Sequence, residues 1–220
     1  MAPYLFISTY NRVEYVAQSL YSLKDSFVDC YPEIYITDDG STDSNVEPIL
    51  HKLKESYSTW GKCNIRIRDH EGIPYGKLNP IKELITKDYS HPFFLISDSD
   101  MIYKKGWLDF LIQLYAVTKM PVITAFNTET NNHATIEQYT SFRLKHSIGG
   151  ANMLIDTQFY LDHPFYEPVE WDFRLCERAH AYKREGMNSG VISSRPSLVQ
   201  HIGVKGHWAR EGYHDEATDF

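Results

Sequence analysis

Apolar residues recur along this chain in two alternating rhythms. Short apolar runs at Tyr4–Ser8, Ile34–Thr37, Ile65–Ile67 and Phe93–Met101 predict strands, and the stretches between them carry apolar residues three and four apart, as helices do. Val13, Val16, Ala17, Leu20 and Leu23 mark the first helix. A second follows the acidic turn at Asp38–Asp43 and runs to about Tyr57, and a third lies near Pro80–Thr86. Trp107–Lys119 is amphipathic and stops before Pro121, and Trp171–Glu185 is closed by Gly186. Val122–Thr124, the end of Ile148–Ile155, Val191–Ser193 and Leu198–Gln200 complete the predicted strands, whereas Phe126–Ser147 is polar and irregular. Beyond Gly203, glycines 206 and 212 punctuate a polar stretch expected to be mobile.

Strands separated by helices need crossover connections. The pattern therefore predicts an α/β fold: a single-domain, Rossmann-like, mainly parallel sheet flanked by helices, with no linker dividing residues 1–220. Open sheets of this kind bind ligands beyond the carboxyl ends of their strands. The polar loops beginning at Thr9, Asp38 and Asp98 each follow a strand and should converge on that edge.

The fourth run ends in Ser97-Asp98-Ser99-Asp100. Continued as a strand, it would point Asp98 and Asp100 to one side and Ser99 to the other. Two carboxylates so placed suit a hard divalent cation, Mn2+ or Mg2+, that keeps open positions for phosphate oxygens. An isolated Asp-x-Asp is more often a solvated turn, so the reading depends on its surroundings.

Composition narrows the partners. A formal charge of -7 argues against nucleic acid, whose binders rely on basic surface. Three widely separated cysteines, Cys30, Cys63 and Cys176, read as reduced thiols. No run approaches the roughly 18 apolar residues of a membrane span, so no integral membrane segment is expected, and a cytoplasmic location is.

Ile7-Ser-Thr-Tyr-Asn-Arg12, Thr37-Asp-Asp-Gly-Ser-Thr-Asp43 and Ser97-Asp-Ser-Asp100, in this order and spacing, resemble the nucleotide-sugar half of A-type-fold (GT-A) glycosyltransferases, with family 2 as the nearest match. Looser similarity follows at Ile148–Met153, Glu170-Trp-Asp172 and Val199–Gly203. The resemblance implies a donor-binding half at residues 1–101, an acceptor and catalytic half at 102–203, and a tail at 204–220. It implies transfer of a sugar from a nucleotide diphosphate sugar, UDP-linked by expectation, to a carbohydrate or other hydroxyl-bearing acceptor, with Mn2+ or Mg2+ as cofactor.

Each implied role has its own chemistry. Asp39 can accept the imide proton of uracil, Tyr10 can stack on a base, Thr9 can bond the base edge or ribose, and Arg12 can oppose phosphate or orient its loop. Asp98 and Ser99 are expected at the donor, and Asp100, Asp98 and His201 at the metal. A lone histidine after a short strand reads as an interior residue, and the resemblance is what makes His201 a ligand. Asp38 and Asp43 are as well suited to capping as to ligand contact. Lys205, His207 and Arg210 could fold over the diphosphate or be solvated. Gly149-Gly150 permits close approach or marks a bulge or turn, Asn152 suits a sugar or acceptor contact, and Trp107 and Trp171 read as core or cleft walls, with Trp171 the acceptor platform. Asp172, at a helix start, is the candidate base for an inverting reaction and Glu170 the runner-up, with retention left open. Two alternatives remain: a nucleotidyltransferase, though Thr9–Arg12 lacks the glycines a triphosphate loop needs, and a non-catalytic nucleotide-sugar-binding module.

Overall fold

Tyr4, Leu5, Phe6 and Ile7 are all buried, as a strand covered on both faces must be. In the computed structural model, which describes residues 2–88, 90–129, 133–165, 170–204, 216–217 and 219–220, with the side chains of 73–76 excepted, this strand lies deep in the sheet. Among the described residues the chain runs β1 (Tyr4–Thr9), α1 (Val13–Ser26), β2 (Glu33–Asp38), α2 (Val46–Tyr57), β3 (Cys63–Ile67), α3 (Ile73–Ile85) and β4 (Phe93–Asp98). It continues through β5 (Met101–Tyr103), α4 (Trp107–Thr118), β6 (Val122–Thr124), β7 (Thr135–Gln138), β8 (Phe142–Lys145) and β9 (Asn152–Asp156). Then come α5 (Thr157–Asp162), α6 (Trp171–Ala181), β10 (Val191–Ser194) and β11 (Val199–His201).

Among the described residues nine strands form one sheet in the order β3-β2-β1-β4-β9-β6-β10-β8-β7. β3, β2, β1 and β4 are mutually parallel. β9 runs antiparallel between β4 and β6, β10 returns parallel to β6, and β8 and β7 finish the far edge as an antiparallel pair. Side chains alternate between the two faces. Leu5, Ile7, Phe93 and Leu95 join the core formed with α1, α2 and α4, through residues such as Leu20, Leu50 and Trp107. Tyr4, Phe6, Phe94 and Ile96 join the core under α3, α5 and α6, with Ile81, Phe159 and Leu175. The result is three layers with helices on both faces. No helix among the described residues is long and apolar enough to cross a membrane.

Several boundaries differ from the sequence pattern. α3 starts at Ile73, not near Pro80, and carries that proline inside it. Phe126–Ser147 is not irregular throughout, because β7 and β8 pair within it. α6 stops at Ala181, four residues short of Glu185, where Tyr182 turns to extended backbone. α5 was not expected; Asp156 caps it by accepting from the Phe159 amide at 2.7 Å.

The most consequential difference is at the acidic pair. β4 ends at Asp98, and the chain bends at Ser99 and Asp100 before entering β5. β5 leaves the main sheet and pairs antiparallel with β11, matching Met101 to His201 and Tyr103 to Val199. Met101 and Tyr103 pack in the core of α1. Asp98 and Asp100 therefore do not project alike from one strand.

Candidate active site

Loops after β1 and β2 are bound together at the carboxyl edge of the sheet. Asn11 and Arg12 both adopt left-handed backbone, with φ of 51° and 53°, which costs a non-glycine residue on the order of 1 kcal/mol or more. The Asn11 side-chain oxygen holds this turn by accepting from the amides of Thr42 and Asp43 at 2.8 and 3.0 Å, while the Asn11 amide donates to Ser41 Oγ at 2.7 Å. Asp38 accepts from Thr9 Oγ1 at 2.8 Å, from the Ser41 amide at 2.9 Å and from Ser41 Oγ at 2.6 Å. Thr9 and Asp38 are thus buried organisers of the edge.

Asp39 is equally buried, and its two oxygens accept from the amides of Glu71 and Gly72, both at 3.0 Å. His70 Nδ1 lies 2.8 Å from Asp39 Oδ2, and the His70 ring stacks on Tyr10 with centroids 4.2 Å apart and planes 16° apart. Asp39 and Tyr10 do meet at one place, and their partner there, His70, escaped the sequence reading. A carboxylate retains lone pairs after two amide bonds, so Asp39 can still accept a proton from a base edge.

Asp98 and Asp100 sit on different sides of the bend. Asp98 follows the parity of Phe94 and Ile96 toward α3, where Lys77 Nζ donates to its Oδ1. Lys77 also donates to the Gly150 carbonyl at 3.2 Å and lies 5.4 Å from the centre of the Trp171 ring. Asp100 faces the start of α1, and Arg12 Nη1 donates to its Oδ2 at 2.8 Å. β11 brings His201 Nε2 to 3.3 Å from the same oxygen. Gly203 follows so closely that a Cβ there would fall 2.1 Å from Asp100 Oδ2, which only glycine avoids. Ser99, between the two acids, is buried.

Electrostatics separate the pair. Burial raises the Asp98 carboxyl, the adjacent Asp100 charge adds to that, and Lys77 and His201 oppose it. Burial also pushes Asp100 upward, but the hydrogen bond and charge of His201 and the Arg12 guanidinium outweigh it and hold Asp100 below the usual carboxylate range.

Among the described residues, no group of three His, Cys, Asp or Glu side chains is gathered as a ready metal site. The expected trio is divided: Asp100 and His201 meet, while Asp98 is turned to Lys77. The donor chemistry nevertheless fits a divalent cation. Among the described residues Asp100 Oδ1 is buried without a hydrogen-bond partner, a costly state for a carboxylate oxygen, and imidazole stands beside it.

The catalytic candidates lie at the start of α6. Asp172, in its first turn, accepts from the Gly150 amide at 3.1 Å and the Phe173 amide at 3.0 Å, so its carboxylate is held in a helix N-terminal turn. Glu170 precedes it, exposed and in left-handed backbone at φ 54°. A Cβ on Gly150 would fall 2.4 Å from Trp171 Cζ2, so this glycine is required for close approach. Through its amide Gly150 holds Asp172, and through its carbonyl it accepts from Lys77, which reaches Asp98. Lys77 was missed, although a signal exists: it shares the apolar stripe of α3 with Ile81 and Ile85, an unusual place for a lysine without a buried partner.

Three other candidates have structural partners here. Asn152 is fully buried, accepting from the Ala125 amide at 3.2 Å and donating to Ser97 Oγ at 3.3 Å. Trp107 is core, its indole donating to Ser26 Oγ at 2.9 Å. Asp43 accepts from the Asn45 amide and side-chain amide, both at 2.9 Å, in the turn ahead of α2, and does not cap that helix. Lys205, His207 and Arg210 lie outside the described residues.

The profile of glycosyl transferase family 2 matches residues 4–166, and the chain belongs to this family. Solved structures share its fold, that of GT-A glycosyltransferases. S. aureus TarS 1-349 in complex with UDP-GlcNAc superposes with a TM-score of 0.65 at 18% identity, over 97% of this chain and 62% of that one. GalNAc-T7 with UDP, GalNAc and Mn2+ gives 0.66 at 13% identity, over 97% and 45%. A mannosyltransferase from Pyrobaculum calidifontis, in complex with GDP-Man and Mn2+, gives 0.60 at 11% identity, over 95% and 59%. The chain thus spans less than two thirds of the length of each of these neighbours. No curated protein sequence matches it.

Proposed function

We propose that this chain transfers a sugar from a uridine diphosphate sugar to an acceptor hydroxyl, using Mn2+ or Mg2+ and inverting the anomeric centre. The observation that carries the reading is the meeting of Asp100, with its partnerless Oδ1, and His201 at the sheet edge of a family 2 chain. Asp100 and His201 would hold the cation, which supplies charge neutralisation for the departing diphosphate, and Asp98, turned to Lys77, would face the donor. Tyr10 and His70 offer ring surface to the base above Asp39, which accepts the imide proton of uracil. Thr9 fixes that edge through Asp38, and Ser99, buried between the two acids, would stand beside the donor. Asp172 takes the proton of the acceptor hydroxyl as its oxygen bonds to the anomeric carbon, while the bond from that carbon to the phosphate oxygen breaks and its electrons leave with the diphosphate. Glu170, exposed beside the same helix start, is the second candidate for that proton. Trp171 walls the acceptor side, where it packs on Gly150. Three unpaired thiols suit a reducing cytoplasm.

The test is a panel of UDP-, GDP- and dTDP-sugars incubated with the protein, with and without Mn2+, scoring transfer and donor hydrolysis. UDP-sugar turnover that needs the metal and disappears in Asp100→Ala is the expected result. Turnover unaffected by a chelator and by Asp100→Ala would overturn the metal role, and preference for GDP-sugars would overturn the base-reading role of Asp39.

A further inference from the structure

The cation site carries its own counter-ions. Asp98 is met by the Lys77 ammonium and Asp100 by the Arg12 guanidinium, so each acid of the pair already faces a positive charge from this chain. The Arg12 contact is built at a cost: two consecutive non-glycine residues, Asn11 and Arg12, are held left-handed by the bonds from Asn11 to residues 41–43. That turn starts α1 and aims the guanidinium at Asp100, whose other side is closed by His201 and Gly203. A divalent cation approaching Asp100 Oδ1 therefore meets a carboxylate whose charge is already matched, with a fixed positive charge alongside.

We propose that Arg12 is a built-in counter-ion that keeps the site in a low-affinity state for the bare metal, so that the cation is retained only together with the diphosphate. The diphosphate brings the negative charge the site lacks, and it offers Arg12 a second anion to bind. Metal and nucleotide then bind with positive coupling, which is necessarily reciprocal. This rests on the metal reading above and adds to it an order of binding and the residue that enforces it.

The test uses the full chain and measures Mn2+ binding by electron paramagnetic resonance and calorimetry, with and without UDP, in wild type, Arg12→Gln and Arg12→Asn. Asparagine adopts left-handed backbone more readily than most residues, so the second variant preserves the turn if the first disturbs it. Wild type is expected to bind Mn2+ alone weakly and about tenfold or more tightly with UDP, and the variants to bind Mn2+ alone about tenfold more tightly than wild type, with the gain from UDP reduced. If wild type holds Mn2+ with UDP but neither variant gains affinity for Mn2+ alone, the metal site stands and the role of Arg12 is overturned. If no form binds Mn2+ even with UDP, the metal reading itself fails and takes this inference with it.

Discussion

The two ends of the large sheet use polar residues in opposite ways. On the side of β1, β2 and β4, polar side chains stand at strand ends and in the loops that follow, where Asn11 and Asp39 bind backbone amides of neighbouring loops and Asp38 binds one of its own. On the side of β6, β8, β9 and β10, polar side chains lie inside the layer: Asn152 links Ser97 to Ala125, Ser193 donates to Asn127, and the fully buried Lys145 donates to the Thr128 carbonyl. A parallel segment repeats one rule, so a polar residue after an apolar run marks an edge. A mixed segment has no such rule, and there a polar residue is as often a bond within the sheet. The halves meet at Gly150, where Lys77 from the first side donates to its carbonyl and Asp172 from the second accepts from its amide.

If that division is correct, the largest effect belongs to the base. Asp172→Asn should keep the helix start intact, because an amide oxygen can still accept from Gly150, yet lower transfer by about 10²- to 10⁴-fold. Rate measurements on Asp172→Asn and Glu170→Gln decide between the two acids. Full activity in the first with loss in the second would move the base to Glu170, and activity in both would leave this helix start purely structural.

Lys77→Met tests the junction itself. It leaves Asp98 without its counter-ion and frees the Gly150 carbonyl, so kcat should fall by about 10- to 100-fold, as for lost residues that orient ligands, with KM for the donor changing less. Lys77→Arg should recover part of the loss. An effect confined to KM would instead place Lys77 among donor-binding groups and weaken the view that it joins the two sides.

Asn152→Ala examines the mixed side, where the expected readout is stability. A buried amide of Ala125 would lose its acceptor, at about 1–3 kcal/mol, seen as a lower denaturant midpoint. UDP affinity, measured by calorimetry, should stay unchanged. A selective loss of sugar or acceptor binding would restore Asn152 to the role its motif implied.

This contrast also explains which parts of the molecule could be read from the chain. β1 and β4 are runs buried on both faces, β2 is half-buried on one face at Glu33 and Tyr35, all three are ended by polar residues, and family resemblance lay in those same endings. Asp100 and His201 were named from sequence, and β11 does bring them together. The bend at Ser99 was invisible because Met101-Ile102-Tyr103 continues the apolar run, and only pairing with β11 shows that it belongs to a separate sheet. β7 has no alternation to detect, since Ile136 is exposed beside Glu137 and Gln138. Lys77 and His70 acquire meaning only through partners distant in sequence, Asp98 and Tyr10. Motif position gave the acids; it could not give their counter-ions.

The smallest predicted effect concerns the last residues of the chain. Asp219 accepts from Arg143 Nη2 at 2.7 Å and from the Ser197 amide and hydroxyl at 3.0 and 2.6 Å, joining the end of the chain to β8 and to the segment before β11. Ala217 donates to the Gln200 side chain at 2.7 Å, one residue from His201. Burial pushes the Asp219 carboxyl upward, but the hydrogen bonds from Ser197 and Arg143 and the charge of Arg143 outweigh it and hold it below the usual range. A carboxyl depressed in the folded state contributes stability that is complete above its unfolded value, about 3.9, and is lost as pH falls through the folded one. Because the group is partly exposed, the contribution should be about 1 kcal/mol or less. Asp219→Asn should therefore unfold at lower temperature than wild type at pH 6, with the gap closing as pH falls below about 4. A gap that persists unchanged at pH 3 would mean that the side chain acts by shape and hydrogen bonding alone, and that charge plays no part in fastening this end beside His201.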